Sequence, residues 1–322
     1  MTLEVIDAHH HLCLLSAASY PWLEGQPQKR YHGDDLPLRR DYLLDDYLAD
    51  AAGLAEIDAR LVGSVHIENG AADPLWEAEW VDRVIAHGPF PTVQVVKVDL
   101  TAPDAHDQLA KHRDRASVRG VRDILNWHPD PYYSHRDRDD LLQDPDWLRG
   151  FRALGDLGLS FDLQVFPHQL ADAARLAADH GSTPIVLDHA GMPIERDDNG
   201  LAEWAKGMRL LAAEPNTTVK ISALGTNDHT WTTDSIRQIV LTTIDFFGPQ
   251  RCMFGSNFPV DGLYSTYTDV FRAFDHITAD LSQNERKRLF AGTAREFYRL
   301  GTAHPQADPA PTSIPSGGDY RG

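Results

Sequence analysis

Short apolar runs alternate with amphipathic stretches along nearly the whole chain. The runs are Leu3–His11, Leu61–Glu68, Thr92–Leu100, Val118–Leu125, Leu159–His168, Thr183–His189, Thr217–Ser222 and Arg251–Asn257. They are rich in Val, Ile, Leu and Phe, as strands covered on both faces must be. Between them, apolar residues recur at helical spacing. The predicted helices are 45–60, 73–87, 105–115, 146–157, 170–180, 201–214, 234–247 and 267–277. Eight strands alternating with helices predict an α/β chain with a parallel sheet. Eight is also the number that closes a (β/α)8 TIM barrel. An open doubly wound sheet would usually carry a glycine-rich turn after its first strand. Here that strand ends in histidines, so the barrel is preferred.

Two further segments complete the expected layout. Ser16–Arg40 is a long loop after strand one, with Tyr20, Trp22 and Tyr31, placed to lie over the catalytic face. Ser282–Leu300 reads as a closing C-terminal helix with Leu289, Phe290 and Phe297 towards the core. One catalytic domain is thus expected over residues 1–301. From Thr302 to Gly322, Pro, Ser, Gly, Asp and Ala dominate, and that tail is expected to be disordered.

Composition narrows the function. The 322 residues carry a formal charge of −18, which disfavours nucleic acid and anionic membranes as partners. A local basic pocket for a small anion remains compatible with that balance. Cys13 and Cys252 are the only cysteines, too few for a disulfide framework. No apolar run is long enough to cross a bilayer and no signal core precedes strand one, so a cytoplasmic protein is expected. A symmetric homodimer is the ordinary expectation for such an enzyme.

Barrel enzymes build their sites at the C-terminal strand ends. There the chain places His9, His10 and His11, then His66 and Glu68, Arg122 and Asp123, and Asn126 and His128. Later ends bring His168, Asp188 and His189, Lys220 and Ser222, and Asn257 and Asp261. Strand alternation puts Asp7, His9 and His11 on one face and turns His10 to the other. His66 is balanced between a site residue and a half-buried structural histidine. An unpaired Lys220 inside the barrel would be costly, so it is expected to pair with Asp7 or Asp188. Arg122 either bridges to Asp123 or Glu68 or binds substrate. The charged run His135–Asp140 reads as a solvated loop.

Seven ordered segments carry a resemblance: DAHHHL (7–12), YPWL (20–23), GVRDILN (120–126), LSFDLQVFPHQ (159–169), VLDHAGMP (186–193), VKISALG (219–225) and CMFGSNFPVD (252–261). Together they resemble the amidohydrolase superfamily, most closely its lactonase branch, which includes sugar-acid lactonases and 2-pyrone-4,6-dicarboxylate lactonase. The resemblance implies a hydrolase that opens a small cyclic ester. In metal-using relatives, histidines matching His9 and His11 hold a divalent cation with a strand-five histidine and a strand-eight aspartate. In the lactonase branch the same histidines polarise the carbonyl or bind substrate, and the aspartate activates water. This chain departs at Asn257, because an amide cannot accept a proton at neutral pH. Asp261, Asp188, His168 or His189 must take over, or the chemistry has changed.

The expected catalytic set is therefore His9, His11, His168, His189 and Asn257. Arg122, Trp22, Tyr20 and Asp261 are expected to bind an anionic or polyhydroxylated small molecule, with Trp22 and Tyr20 as a lid. No cofactor is required on this reading. The less favoured form has one divalent cation such as zinc on His9, His11 and His168. The rivals are a metal-dependent, decarboxylase-like lyase and a ligand-binding barrel without turnover.

Overall fold

The computed structural model describes residues 2–26 and 29–301, so the tail expected from Thr302 lies outside the described residues. Eight strands form one parallel sheet: β1 (Leu3–His10), β2 (Ala59–Ile67), β3 (Val93–Val96), β4 (Val118–Ile124), β5 (Ser160–Gln164), β6 (Ile185–Leu187), β7 (Thr217–Ile221) and β8 (Cys252–Phe254). Each strand pairs with the next in sequence. The ring closes just past β8, where Asn257 N donates to His9 O at 2.7 Å and His11 N to Phe258 O at 2.8 Å. Eight helices alternate with the strands: α1 (Leu44–Ala51), α2 (Pro74–His87), α3 (Ala105–Arg113), α4 (Pro145–Leu157), α5 (Leu170–Asp179), α6 (Asp198–Ala212), α7 (Thr233–Phe247) and α8 (Tyr267–Ile277). This is the expected (β/α)8 barrel.

Strand alternation sorts the side chains into two cores. Val121, Phe161, Leu187, Val219 and Phe254 pack outward under the helices. Ile6, Val65, Val93, Val186 and Met253 fill the barrel interior. Helix starts follow local chemistry. The Asp73 carboxylate accepts from Leu75 N and Trp76 N, and Asp144 accepts from Asp146 N and Trp147 N. Among the described residues no helix is long and apolar enough to cross a membrane.

Three departures from the pattern matter. The first predicted helix stops at Ala51 and continues as a 3-10 turn, Ala52–Ile57. Gly53 lies there so close to Thr268 that a Cβ would fall 2.0 Å from its hydroxyl. The closing segment is not one helix. Gln283–Lys287 and Thr293–Phe297 flank a π-helical turn, Arg288–Gly292. The wider turn buries Leu289, Phe290 and Ala291 together. It also brings Tyr298 beneath the barrel, where Arg119 Nε bonds its carbonyl at 2.8 Å.

The third departure is a bulge in β1. Asp7 pairs with Ser64 and His10 with His66, so three steps on β1 face two on β2. The extra residue breaks the alternation. Asp7 therefore does not share a face with His9. Like His10, it meets Tyr47 of α1: the Tyr47 hydroxyl donates to Asp7 at 3.1 Å and the His10 ring stacks on Tyr47 at 4.0 Å.

Candidate active site

A cavity of about 570 Å³ opens at the C-terminal end of the barrel. His11, His189, Asn257 and Gln164 contribute to its floor, and the long loop after β1 supplies Trp22, Tyr31 and His32 to its wall. The Trp22 indole donates to Asn69 O at 2.7 Å, which pins the loop to the chain after β2.

The floor histidines are neutral. His11 Nδ1 lies 2.8 Å from the Ile67 carbonyl, which can only accept, so Nδ1 carries the proton and Nε2 the lone pair. His189 Nδ1 lies 2.9 Å from Ser222 Oγ. Burial lowers the pKa of His11 to about 4 and of His189 to about 3. His9 sits beneath this floor and is fully buried. Its ring is 5.0 Å from that of His11 and 4.5 Å from that of His189. Burial, and then the Lys220 ammonium, hold it neutral.

Beneath the floor lies a charged cluster. Lys220 Nζ is 2.5 Å from Asp162 Oδ2, 3.0 Å from Asp188 Oδ1 and 3.2 Å from His9 Nδ1. The Tyr298 hydroxyl reaches up from below to Asp162 at 2.8 Å. Burial pushes Asp162 up to about 6. Burial also works against ionisation of Asp188, but Lys220 and His9 outweigh it and hold that carboxyl well below the usual range. Of the two partners expected for Lys220, Asp188 is used; the second carboxylate is Asp162 rather than Asp7, because the β1 bulge faces Asp7 outward.

Asn257 begins the turn after β8 with φ 58°. Its Nδ2 donates to Asp261 Oδ1 at 3.2 Å, and Thr226 Oγ1 donates to the same oxygen at 3.0 Å. Burial raises the Asp261 pKa to about 7. Left-handed backbone gathers at these strand ends: His189, Ala190, Met192, Ala223 and Asn257 all have positive φ. Such strain concentrates where a surrounding structure holds functional groups in place.

Charge lines the wall. Arg122 Nε donates to Glu68 Oε1 at 2.7 Å and its Nη2 to Glu68 O at 2.6 Å, so the bridge to Glu68 is formed. Asp123 faces outward to the Trp147 indole and pairs with Arg136. Arg30 and Lys97 also line the cavity. Among the described residues neither makes a direct ion pair, although the Lys97 ammonium lies close enough to favour the ionised form of Glu68, and to oppose in part the burial that raises the Asp123 pKa.

Several expected site residues stand elsewhere. β5 ends at Gln164, and Pro167 starts a 3-10 turn that swings His168 out, exposed, against Trp127, His128 and Phe166. His168 therefore neither joins the floor nor completes a ligand set with His9 and His11. Tyr20 is fully buried in the core and does not line the cavity. The turn begun by Pro21 directs Trp22, not Tyr20, to the opening. Asp261 stands behind Asn257 and Thr226 rather than on the cavity surface. His66 faces the outer layer, where its Nδ1 accepts from Leu12 N at 3.1 Å.

Other wall residues escaped the sequence reading. The run from His135 is not wholly a solvated loop: its first residues hook onto Asn126 O, so His135 and Arg136 line the cavity. Lys97 just past β3 and Thr226 past β7 are further additions. Lys97 had a visible signal, a lone cation closing the apolar run Val93–Val96. Thr226 had none.

The family model described as Amidohydrolase matches residues 6–300. The chain belongs to the amidohydrolase family. It is 37% identical over 298 residues to the uncharacterised protein y4mH of Sinorhizobium fredii, covering 92% of this chain and 98% of that one. It is 31% identical over 307 residues to an L-fucono-1,5-lactonase of Burkholderia multivorans, covering 92% and 96%. A crystal structure of an amidohydrolase from Burkholderia multivorans with bound zinc superposes with a TM-score of 0.78 at 29% identity, covering 92% and 99%. The L-fucono-1,5-lactonase among them agrees with the resemblance to the lactonase branch.

In this amidohydrolase, His9, Asp188 and His189 bring ligand atoms within 4.8 Å of one another, and among the described residues His9 Nε2 has no hydrogen-bond partner. The cluster differs from the expected His9, His11 and His168. It does not fit a tightly held dication, because the Lys220 ammonium already stands against Asp188 and His9. The turn after β8 adds the neutral Asn257 where a carboxylate would assist a hard cation.

Proposed function

We propose that this amidohydrolase opens a small lactone that carries a carboxylate. The cavity carries the reading: it joins a floor of neutral imidazoles to two wall cations, Arg30 and Lys97, that have no direct carboxylate partner among the described residues. An anionic group on the substrate would supply what those cations lack. Arg122 contributes positive potential but is committed to Glu68. The lactonase relatives support the same bond type.

Asp261 takes the place of the missing carboxylate. Its pKa of about 7 suits a base working near neutrality. Thr226 both lines the cavity and donates to Asp261, so it forms the bridge. A water held by Asn257 attacks the lactone carbonyl carbon. Its proton passes to Thr226 Oγ1 as Thr226 hands its own to Asp261. One imidazole N–H steadies the oxyanion; His11 cannot supply it, because the Ile67 carbonyl holds its only proton, so it comes from Nε2 of His9 or His189. The intermediate collapses, the ring C–O bond breaks, and the proton returns from Asp261 to the departing alkoxide. The product is a hydroxy acid.

A pH-indicator screen of sugar-acid lactones and dicarboxylate lactones, with and without chelator, tests this. Acid release is expected from carboxylated lactones and is expected to survive chelation. Turnover of neutral lactones alone would overturn the assignment of Arg30 and Lys97. Carbon dioxide release from aromatic acids, without lactone opening, would replace hydrolysis by the lyase reading that Asn257 also permits.

A further inference from the structure

The cluster beneath the floor assigns Lys220 a task that packing does not require. An ammonium has three hydrogens and no acceptor. Nζ donates to Asp162 Oδ2 at 2.5 Å, lies in hydrogen-bonding geometry with His9 Nδ1 at 3.2 Å, and forms an ion pair with Asp188 Oδ1 at 3.0 Å. All four side chains are fully buried, so no solvent stands in for a missing partner. A proton on His9 Nδ1 would set two donors against each other. Asp188 Oδ1 also lies near Nδ1, but farther away than Nζ, at 3.5 Å against 3.2 Å, and its charge is already paired with the ammonium at 3.0 Å.

We propose that Lys220 is a positioning residue that fixes His9 as its Nε2–H tautomer. A metal ligand nitrogen needs a lone pair, and in this state His9 Nε2 has none. The position that could anchor a cation thus becomes a hydrogen-bond donor. Nε2 is buried without a partner among the described residues, on a ring that neighbours those of His11 at 5.0 Å and His189 at 4.5 Å. It is left to donate to an oxygen that settles beside it. His11 has the opposite tautomer, because the Ile67 carbonyl takes its Nδ1 proton. Two histidines two residues apart therefore present one donor and one acceptor.

The inference touches the lactonase reading only through that oxygen, and its test does not use turnover. Nitrogen-15 NMR of the histidine-labelled full chain, with His9 assigned by His9→Gln, is expected to show a bare Nδ1 and a protonated Nε2. The reverse pattern would overturn the inference, even in an active lactonase. Zinc titration against a competing chelator gives a second readout. Lys220→Met frees Nδ1 to donate to Asp188 and leaves the lone pair on Nε2. The folded variant is expected to bind zinc at least about tenfold more tightly than the parent, the change produced by about 1.4 kcal/mol. Equal or weaker affinity in a folded variant would count against the idea. If Lys220→Met does not fold, the tautomer of the parent protein decides alone. A protein with the expected tautomer but no lactone turnover would sink the proposed function and leave this inference standing.

Discussion

The two faces of the barrel wall hold the same residue types in different states. On the outer face, Asp7 accepts hydrogen bonds from Ser256 N, Ser256 Oγ, Tyr47, Tyr267 and His9 N, all within 3.2 Å. His10 beside it stacks on Tyr47 and meets Ser64 Oγ at 3.1 Å. On the inner side, Asp261 has two side-chain donors, both from residues that line the cavity. Burial raises the pKa of both carboxyls, and hydrogen bonds oppose it in both. The difference lies in what each can reach. Asp7 ties β1 to the β8 turn, α1 and α8, whereas Asp261 is one hydroxyl away from a cavity. Burial and a shifted pKa do not make a site; access to a ligand does.

The sharpest way to break this comparison is Asp261→Asn. Loss of a general base should lower kcat/KM by about 10²–10⁴-fold. In the parent enzyme Asp261 must be ionised to accept a proton, so kcat/KM should rise with pH through about 7. The variant should lose that limb. A limb kept unchanged would assign the pKa to another group.

His9→Gln against His10→Gln sharpens the contrast within one strand. The first removes an inner donor and should cut kcat by on the order of 10²-fold. The second loses a stacking contact and a hydrogen bond, and should cost about 1–2 kcal/mol of stability while kcat is kept. Urea unfolding and steady-state kinetics on both variants check it. A fall in kcat for His10→Gln would erase the distinction between the faces.

A smaller effect is expected at the wall. Lys97→Gln should raise KM about tenfold for a carboxylated lactone, as loss of one charge-assisted contact would. A neutral sugar lactone should bind as before. An equal rise for both substrates would show that Lys97 shapes the cavity rather than reading charge.

Much of the scaffold was legible along the chain. All eight strands and eight helices overlap the segments that hydrophobic period and strand-end chemistry mark, because both follow from local repeat geometry, although the first helix and the fifth strand end early. The inward turn of His11 and the outward turn of His10 were also legible. His168 was misplaced because apolar character continues through Val165 and Phe166, while the strand hydrogen bonds stop at Gln164. The face of Asp7 was misread because a bulge depends on the register with β2, which one strand cannot reveal.

By itself the sequence determined the barrel, the ring of polar strand ends and the absence of an aspartate at Asn257. The tertiary structure alone decided that Asp261 and Thr226 stand behind that asparagine. It also decided that Lys220, from β7, meets His9 of β1, Asp162 of β5 and Asp188 at the end of β6. The physical reason is closure. Residues up to 211 positions apart become neighbours only when the sheet curls into a ring, and a local pattern carries no information about who stands opposite.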